Sequence, residues 1–215
     1  EPSDIIDPET NILKKISLIP KPLQKKLPLW LVVDSPSSIE SAAKNGLGCL
    51  MWLPTVKSLK ERFEIYQQAR SEVEKRDVSM GEGICLVRDV FIADSMEEAK
   101  ELAGEHILDY MRWVCGGGRG VSIFADPGEE FPKTDGLLDL LDYKFLHPRN
   151  LVVGTADYVI EKIHELKSEL NLQHLAVWSS PPGMPHELSM KSIKLFNDKV
   201  MPHFSDDRTE VKKVS

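Results

Sequence analysis

The 215-residue chain has only three cysteines, and Cys49, Cys85 and Cys115 are odd in number and far apart. That spacing excludes a disulfide framework, and with no CxxC and no matching histidine pair it offers no metal-site pattern. Two of the three lie in apolar strand-like runs, as buried thiols do, so a reducing cytoplasm is the expected compartment. Long apolar runs are missing too: nothing approaches the roughly 20 residues of a membrane span, and no signal peptide is expected. Positive charge is in deficit, with 27 Lys and Arg against 34 Asp and Glu and a net charge of −7. That balance argues against a nucleic-acid or anionic-membrane partner. What remains, 41% hydrophobic and 28% charged, suits a globular domain with ample core. Glu1-Pro2 is not a natural start, so the chain is expected to be processed or to belong to something longer.

The stretch from Trp30 to Trp52 organises the rest. Leu29 to Val33 is an unbroken apolar run, read as a strand buried on both faces. Asp34-Ser35-Pro36-Ser37-Ser38 then starts a helix. Either Ser35 caps it with Pro36 at the first position, or Ser37 caps it and Glu40 closes a capping box. Asn45-Gly46 stops the helix, and Cys49 to Leu53 is the next strand. A helix that begins with free N–H groups among three hydroxyls suits an anion, phosphate above all, although such serines also serve simply as caps.

The remaining pattern repeats the unit. Residues 56–76 carry Leu59, Phe63, Tyr66, Ala69 and Val73 on one helical face. Residues 83–93 form a third strand interrupted near its middle by Arg88 and Asp89, read as a salt-bridged or solvated pair at a strand end ahead of the alternative of a bend facing a ligand. Ser95 and Glu98 make a capping box for a helix that buries Ala99, Leu102, Ala103, Ile107, Tyr110, Met111 and Val114. The glycine cluster at 116–120 lacks the Walker lysine and reads as a hinge. Residues 119–150 are a long irregular excursion with one short helix, 137–143, and a mobile loop over the mouth is expected at 116–136. Val152-Val153-Gly154-Thr155 leads into another helix. Leu175 to Ser179 is the fourth strand, and a last helix turns Met190, Ile193, Phe196 and Val200 inward. The expected architecture is an α/β parallel sheet with right-handed crossovers. Its segments are an extended proline-rich approach at 1–28, one domain at 29–204 and a flexible tail at 205–215.

The run Pro20-Lys21-Pro22-Leu23-Gln24, then Pro28-Leu29-Trp30, Val33 to Ile39 and Ala42-Ala43-Lys44-Asn45-Gly46, resembles the bacterial luciferase-like flavin monooxygenase family. So do Val153-Gly154-Thr155-Ala156 and the closing Met190 to Phe196 with Val200-Met201-Pro202. The match covers residues 16–204 but only the C-terminal half of that family's (β/α)₈ TIM-type barrel, about four β/α units.

The resemblance implies an enzyme that uses reduced FMN and O₂ to oxidise a small organic substrate, with a flavin reductase as partner. A deazaflavin-dependent oxidoreductase and a non-catalytic flavin-binding or assembly module are the alternatives. It implies that Asp34, Ser35, Ser37 and Ser38 surround the FMN phosphate. Leu50 to Leu53 would lie along the isoalloxazine, with Trp52 either its wall or a core residue. No catalytic residue is assigned, because the family's catalytic histidine lies in the half with no counterpart here. His186 is the one histidine expected near the mouth; His106, His164 and His174 read as solvated or packed, and His147 and His203 as incidental. Completion by a missing N-terminal half-barrel or by a second copy is expected.

Overall fold

The computed structural model describes residues 5–13, 20–25, 27–116, 120–131 and 141–207. The expected loop and helix at 116–143 therefore lie partly outside the described residues, as does most of the expected tail.

Alternating strands and helices build one parallel sheet. β1 (Trp30–Val32), α1 (Pro36–Lys44), β2 (Gly48–Met51), α2 (Val56–Glu74), β3 (Ile84–Ile92) and α3 (Met96–Val114) follow in turn. After a 3₁₀ turn at Val121–Phe124 come α4 (Tyr143–Asn150), β4 (Leu151–Gly154), α5 (Ala156–Leu170), β5 (His174–Trp178) and α6 (His186–Leu195). Every strand pairing is parallel. β3 is the spine. Cys85 and Leu86 pair with both β2 and β5, so those strands flank it; Asp89 pairs with both β5 and β4, so β4 continues along β2's side. Consistent with this position, β3 is buried along nearly its whole length.

Three expectations change. The sheet has five strands rather than four, because Leu151–Gly154 is a strand and not a lead-in. Its four residues follow α4 without a loop, so no turn signal announces them. Asp142 caps α4 by accepting from the Phe145 N–H at 2.7 Å, so 143–150 is helical where an irregular stretch is expected, while the expected helix at 137–143 lies mostly outside the described residues. β1 is not buried on both faces: Trp30, Leu31 and Val32 are 40%, 40% and 67% exposed, since among the described residues only β2 borders it.

Two helical faces are also rotated from the expected ones. Val73 is exposed, beyond the buried set Leu59, Phe63, Tyr66 and Ala69. On α6, Met190 and Ile193 face outward while Ser189 and Ser192 are buried. The Ile92 N–H donates to Ser192 Oγ at 2.9 Å, and Ser189 Oγ meets Ser180 Oγ at 3.0 Å. Backbone and hydroxyl partners at the strand ends thus take the face that hydrophobicity alone assigns to Met190 and Ile193.

The core is divided by the sheet. Ile84, Leu86, Cys49 and Met51 pack with α1 and α2, and Val90, Ile92 and Val152 pack with α5. On the other face Phe91, Ala93 and Val153 pack against α3, the 3₁₀ turn and α4. Gly48 is required by close approach, because a Cβ there would lie 2.6 Å from the Trp30 indole.

Candidate functional site

β1 ends at Val32, and after three residues the chain enters α1 at Pro36. Ser35 is the N-cap, as in the first of the two alternatives. Its side chain accepts from the Ser38 N–H at 3.2 Å, and the Ser35 N–H donates to Ser38 Oγ at 3.2 Å. Ser38 thus takes the role usually filled by glutamate in a capping box, while Glu40 pairs with Lys44 at 3.2 Å. Ser37 Oγ lies 3.1 Å from Ser35 Oγ, so three hydroxyls meet on one turn.

Sequence reasoning missed a fourth member of this turn. Arg62, on α2, donates from Nε to the Asp34 carbonyl at 3.3 Å and from a terminal nitrogen to the Ser58 carbonyl at 3.0 Å. Burial lowers its pKa while the Asp34 and Glu61 carboxylates act the other way, and a guanidinium remains charged. Its position within the α2 pattern, one residue before buried Phe63, gave no sign that it would reach back to the β1 turn.

Of the four residues expected at the phosphate, Ser35 and Ser38 also satisfy the helix cap with their hydroxyls. Pro36 has no N–H, and the Ser35 and Ser38 amides are engaged by each other's hydroxyls. Ser37 is exposed, with its hydroxyl on Ser35 Oγ, and Arg62 is half-buried, with Nε and one terminal nitrogen on backbone carbonyls. That set fits a phosphate through hydroxyls and one cation more than through a ring of free amides.

The second part of the site lies at the ends of β2, β3 and β5. Alternation along β2 turns Met51 into the core with α1 and α2 and leaves Leu50 for the other face; past the strand Leu53 is buried in the cluster with α3, and Trp52 packs against that same cluster. Of the expected Leu50–Leu53 wall, Met51 is therefore turned away from the others. Trp52 stacks on Trp178 of β5, centroids 5.4 Å apart and planes 9° from parallel. Tyr110 of α3 lies against both indoles, at 5.5 and 5.7 Å.

Arg88 and Asp89 are neither solvated nor paired at a strand end; each is 1% exposed in the middle of β3. Successive strand residues point to opposite faces, which keeps their charged groups apart. Arg88 donates to the carbonyls of Trp52 and, at 2.7 Å, Pro54. Asp89 Oδ2 accepts the Trp52 Nε1–H at 2.9 Å, whereas Oδ1 accepts no hydrogen bond from another residue. Burial pushes the Asp89 carboxyl up to about 6, against the Trp52 hydrogen bond and the Arg88 charge, and pushes Arg88 down to about 10.

The histidines are placed structurally. His147 is sandwiched between Tyr143 and Tyr158 at 5.0 and 5.1 Å, and its Nε2–H donates to the Val153 carbonyl at 2.7 Å. His164 packs on Phe204 and His174 on Trp30, while His186 opens α6 on the surface. Burial raises Cys49 to about 12, which leaves it a thiol rather than a nucleophile. Among the described residues no cluster suited to a metal ion occurs, and no helix is long and apolar enough to cross a membrane.

A parallel β/α sheet with a hydroxyl-lined turn after one strand and an aromatic face after the next defines part of a (β/α)₈-type barrel with its candidate site at the C-terminal strand ends. The chain belongs to the luciferase-like monooxygenase family, whose model matches residues 6–172. It is similar to a monooxygenase from Streptomyces bottropensis (TM-score 0.66, 18% identity, covering 86% of this chain and 51% of that one). It is also similar to the oxygenating constituent of 3,6-diketocamphane monooxygenase from Pseudomonas putida, a complex with FMN (0.64, 20%, 80% and 48%). A third likeness is the coenzyme F420-dependent tetrahydromethanopterin reductase from Methanopyrus kandleri (0.57, 19%, 83% and 51%). The chain spans about half the length of these structures. No curated protein matches it by sequence.

Proposed function

We propose that the chain supplies the cofactor-phosphate-binding half of a flavin-dependent monooxygenase that takes reduced FMN and O₂ to a small organic substrate. The observation that carries this reading is the convergence of the Ser35, Ser37 and Ser38 hydroxyls with the Arg62 guanidinium at the C-terminal end of β1. A flavin supplies electron transfer and oxygen activation when bound. The chain's own groups have simpler tasks. The serine turn and Arg62 hold the phosphate, with the Asp34 carboxylate turned from it, and Leu50 and Trp52 border the ring. The packed face formed by α3 and the 3₁₀ turn keeps water from the reacting edge.

A deazaflavin cofactor is the second reading, favoured by the likeness to the F420-dependent reductase. On either reading a second half-barrel, from the same polypeptide or another copy, completes the sheet beside β1 and β5, and a flavin reductase supplies reduced FMN in the first. The test uses the polypeptide that carries these residues, titrated with FMN, riboflavin and a deazaflavin under matched conditions. FMN binding well above riboflavin, weakened by Ser37→Ala and Arg62→Gln, supports the proposal. Equal binding of FMN and riboflavin contradicts a phosphate site.

A further inference from the structure

β3 changes partner in mid-strand. Its pairing with β2 ends at Leu86, and its pairing with β4 begins at Asp89. On that side Val87 and Arg88 pair with neither strand, so they face a fork where β2 has left and β4 has not yet joined. Arg88 fills part of the fork. Three of its five N–H donors go to the backbone carbonyls of Trp52, Val87 and Pro54, and two have no partner among the described residues. Asn150, the last residue before β4, borders the same fork; it is 4% exposed, and neither its Oδ1 nor its Nδ2 has a partner. A cavity of about 30 Å³ lies between them, lined by both residues. One water needs about 10–15 Å³ on this measure, so the space holds two small species.

A buried guanidinium is costly to hold without an anion, and an orphaned amide adds to that cost. Asp89 is the carboxylate next to Arg88 in sequence, but it points to the opposite face of the strand. Its charge is outweighed by burial, which lowers the Arg88 pKa to about 10 and still leaves the group charged at neutral pH. Arg149 and Lys162 also line the cavity, against one carboxylate, Glu165. Lys162 pairs with Glu165 at 2.6 Å and Arg149 with Glu129 at 2.7 Å. Among these described cations Arg88 is therefore the one with no carboxylate partner.

We propose that this fork binds one small monovalent anion, chloride in ordinary solution, which accepts from the free Arg88 N–H groups and from Asn150 Nδ2. The terminal torsion of asparagine is broad, so turning its amide toward the anion costs little. A water beside the anion donates to Asn150 Oδ1 and takes the remaining volume. Phosphate and sulfate, with five heavy atoms each, exceed a space sized for two waters. The Lys162–Glu165 pair at the rim, its side chains 30% and 43% exposed, gives solvent ions a way in. The site is independent of the cofactor reading, because the cavity is bordered by α2, α4, α5 and the sheet's own strands rather than by the serine turn.

The test follows thermal denaturation of the polypeptide carrying these residues as chloride replaces gluconate, an anion too large for the cavity, at constant ionic strength. Wild type is expected to gain about 3–6 °C in Tm, along a saturable curve, once chloride stands tenfold above its half-saturating concentration. Asn150→Asp brings its own carboxylate to Arg88 and is expected to lose that dependence. Crystals of the wild type grown in bromide are expected to show an anomalous peak within hydrogen-bond distance of Arg88 and Asn150. Equal Tm values in chloride and gluconate overturn the proposal, as does an Asn150→Asp variant that depends on chloride as wild type does. A bromide-grown crystal with only water in the fork overturns it too, and this measurement decides the matter if Asn150→Asp fails to fold.

Discussion

Trp52 and Arg88 are joined through the backbone, and Trp52 and Asp89 through the side chain: Arg88 donates to the Trp52 carbonyl while the Trp52 indole donates to Asp89 Oδ2 at 2.9 Å. One tryptophan just past β2 is therefore fixed at both ends by two adjacent residues of β3. This arrangement explains how consecutive opposite charges persist in a strand buried along nearly its whole length. Each is held by a partner on its own face rather than by the other.

Stability should fall as pH rises through the titration of Asp89. Its pKa is about 6 in the folded chain against 3.8 for the free side chain, so the folded state holds the proton more tightly. The contribution is fully present below about pH 4 and is lost as pH approaches about 6, amounting to about 3 kcal/mol from the shift. Urea denaturation at intervals between those pH values measures it. Asp89→Asn should remove this component, and an unchanged pH profile in the variant would assign the titration elsewhere.

The serines of the β1 turn should separate into structural and ligand-facing roles. Ser35→Ala should destabilise the chain by about 1 kcal/mol through loss of the N-cap. Ser37→Ala, whose hydroxyl caps nothing, should change stability by less than about 0.5 kcal/mol. Both should weaken FMN binding by about 1 kcal/mol or more. Thermal denaturation combined with flavin titration distinguishes the two effects.

Arg62→Gln should lower FMN affinity by about 1.5–3 kcal/mol, the range for a hydrogen bond to a charged group, and leave riboflavin affinity unchanged. The difference between the two ligands isolates the phosphate. A parallel loss for both would place Arg62 in the support of the β1 turn alone.

Both open sides of the sheet carry apolar side chains. Val32 is 67% exposed on β1 and Trp178 38% on β5, with Met190 at 49% and Ile193 at 39% exposed on α6. The isolated 215-residue chain should therefore associate with rising concentration. Val32→Lys combined with Ile193→Lys should reduce that association, as measured by sedimentation velocity. A monomer at all concentrations would show that these edges need no partner.

The elements with strong local signals were legible in the sequence. The β1–α1–β2 unit follows from an apolar run, a serine cap and Asn45-Gly46, where Gly46 takes φ +69°. α3 follows from its cap and apolar stripe, and the family follows from the order of these motifs. The parts that were not legible depend on tertiary contacts. β4 has no boundary residue, and the buried face of α6 is set by the Ile92 amide finding Ser192. Arg88 and Asp89 read as surface charges because nothing near them in sequence shows that Trp52, more than 30 residues away, satisfies both. Arg62 and Tyr110 belong to helices whose periodicity describes burial and says nothing of the strand ends they approach.

The central claim is that this chain holds a flavin-type cofactor by its phosphate at the end of β1. Parallel titrations of FMN and riboflavin with wild type and the Ser37→Ala, Arg62→Gln double variant test it most directly. The account predicts that wild type prefers FMN by at least 10-fold and that the double variant loses the preference. Equal affinities in wild type, or a preference that survives both substitutions, would contradict it.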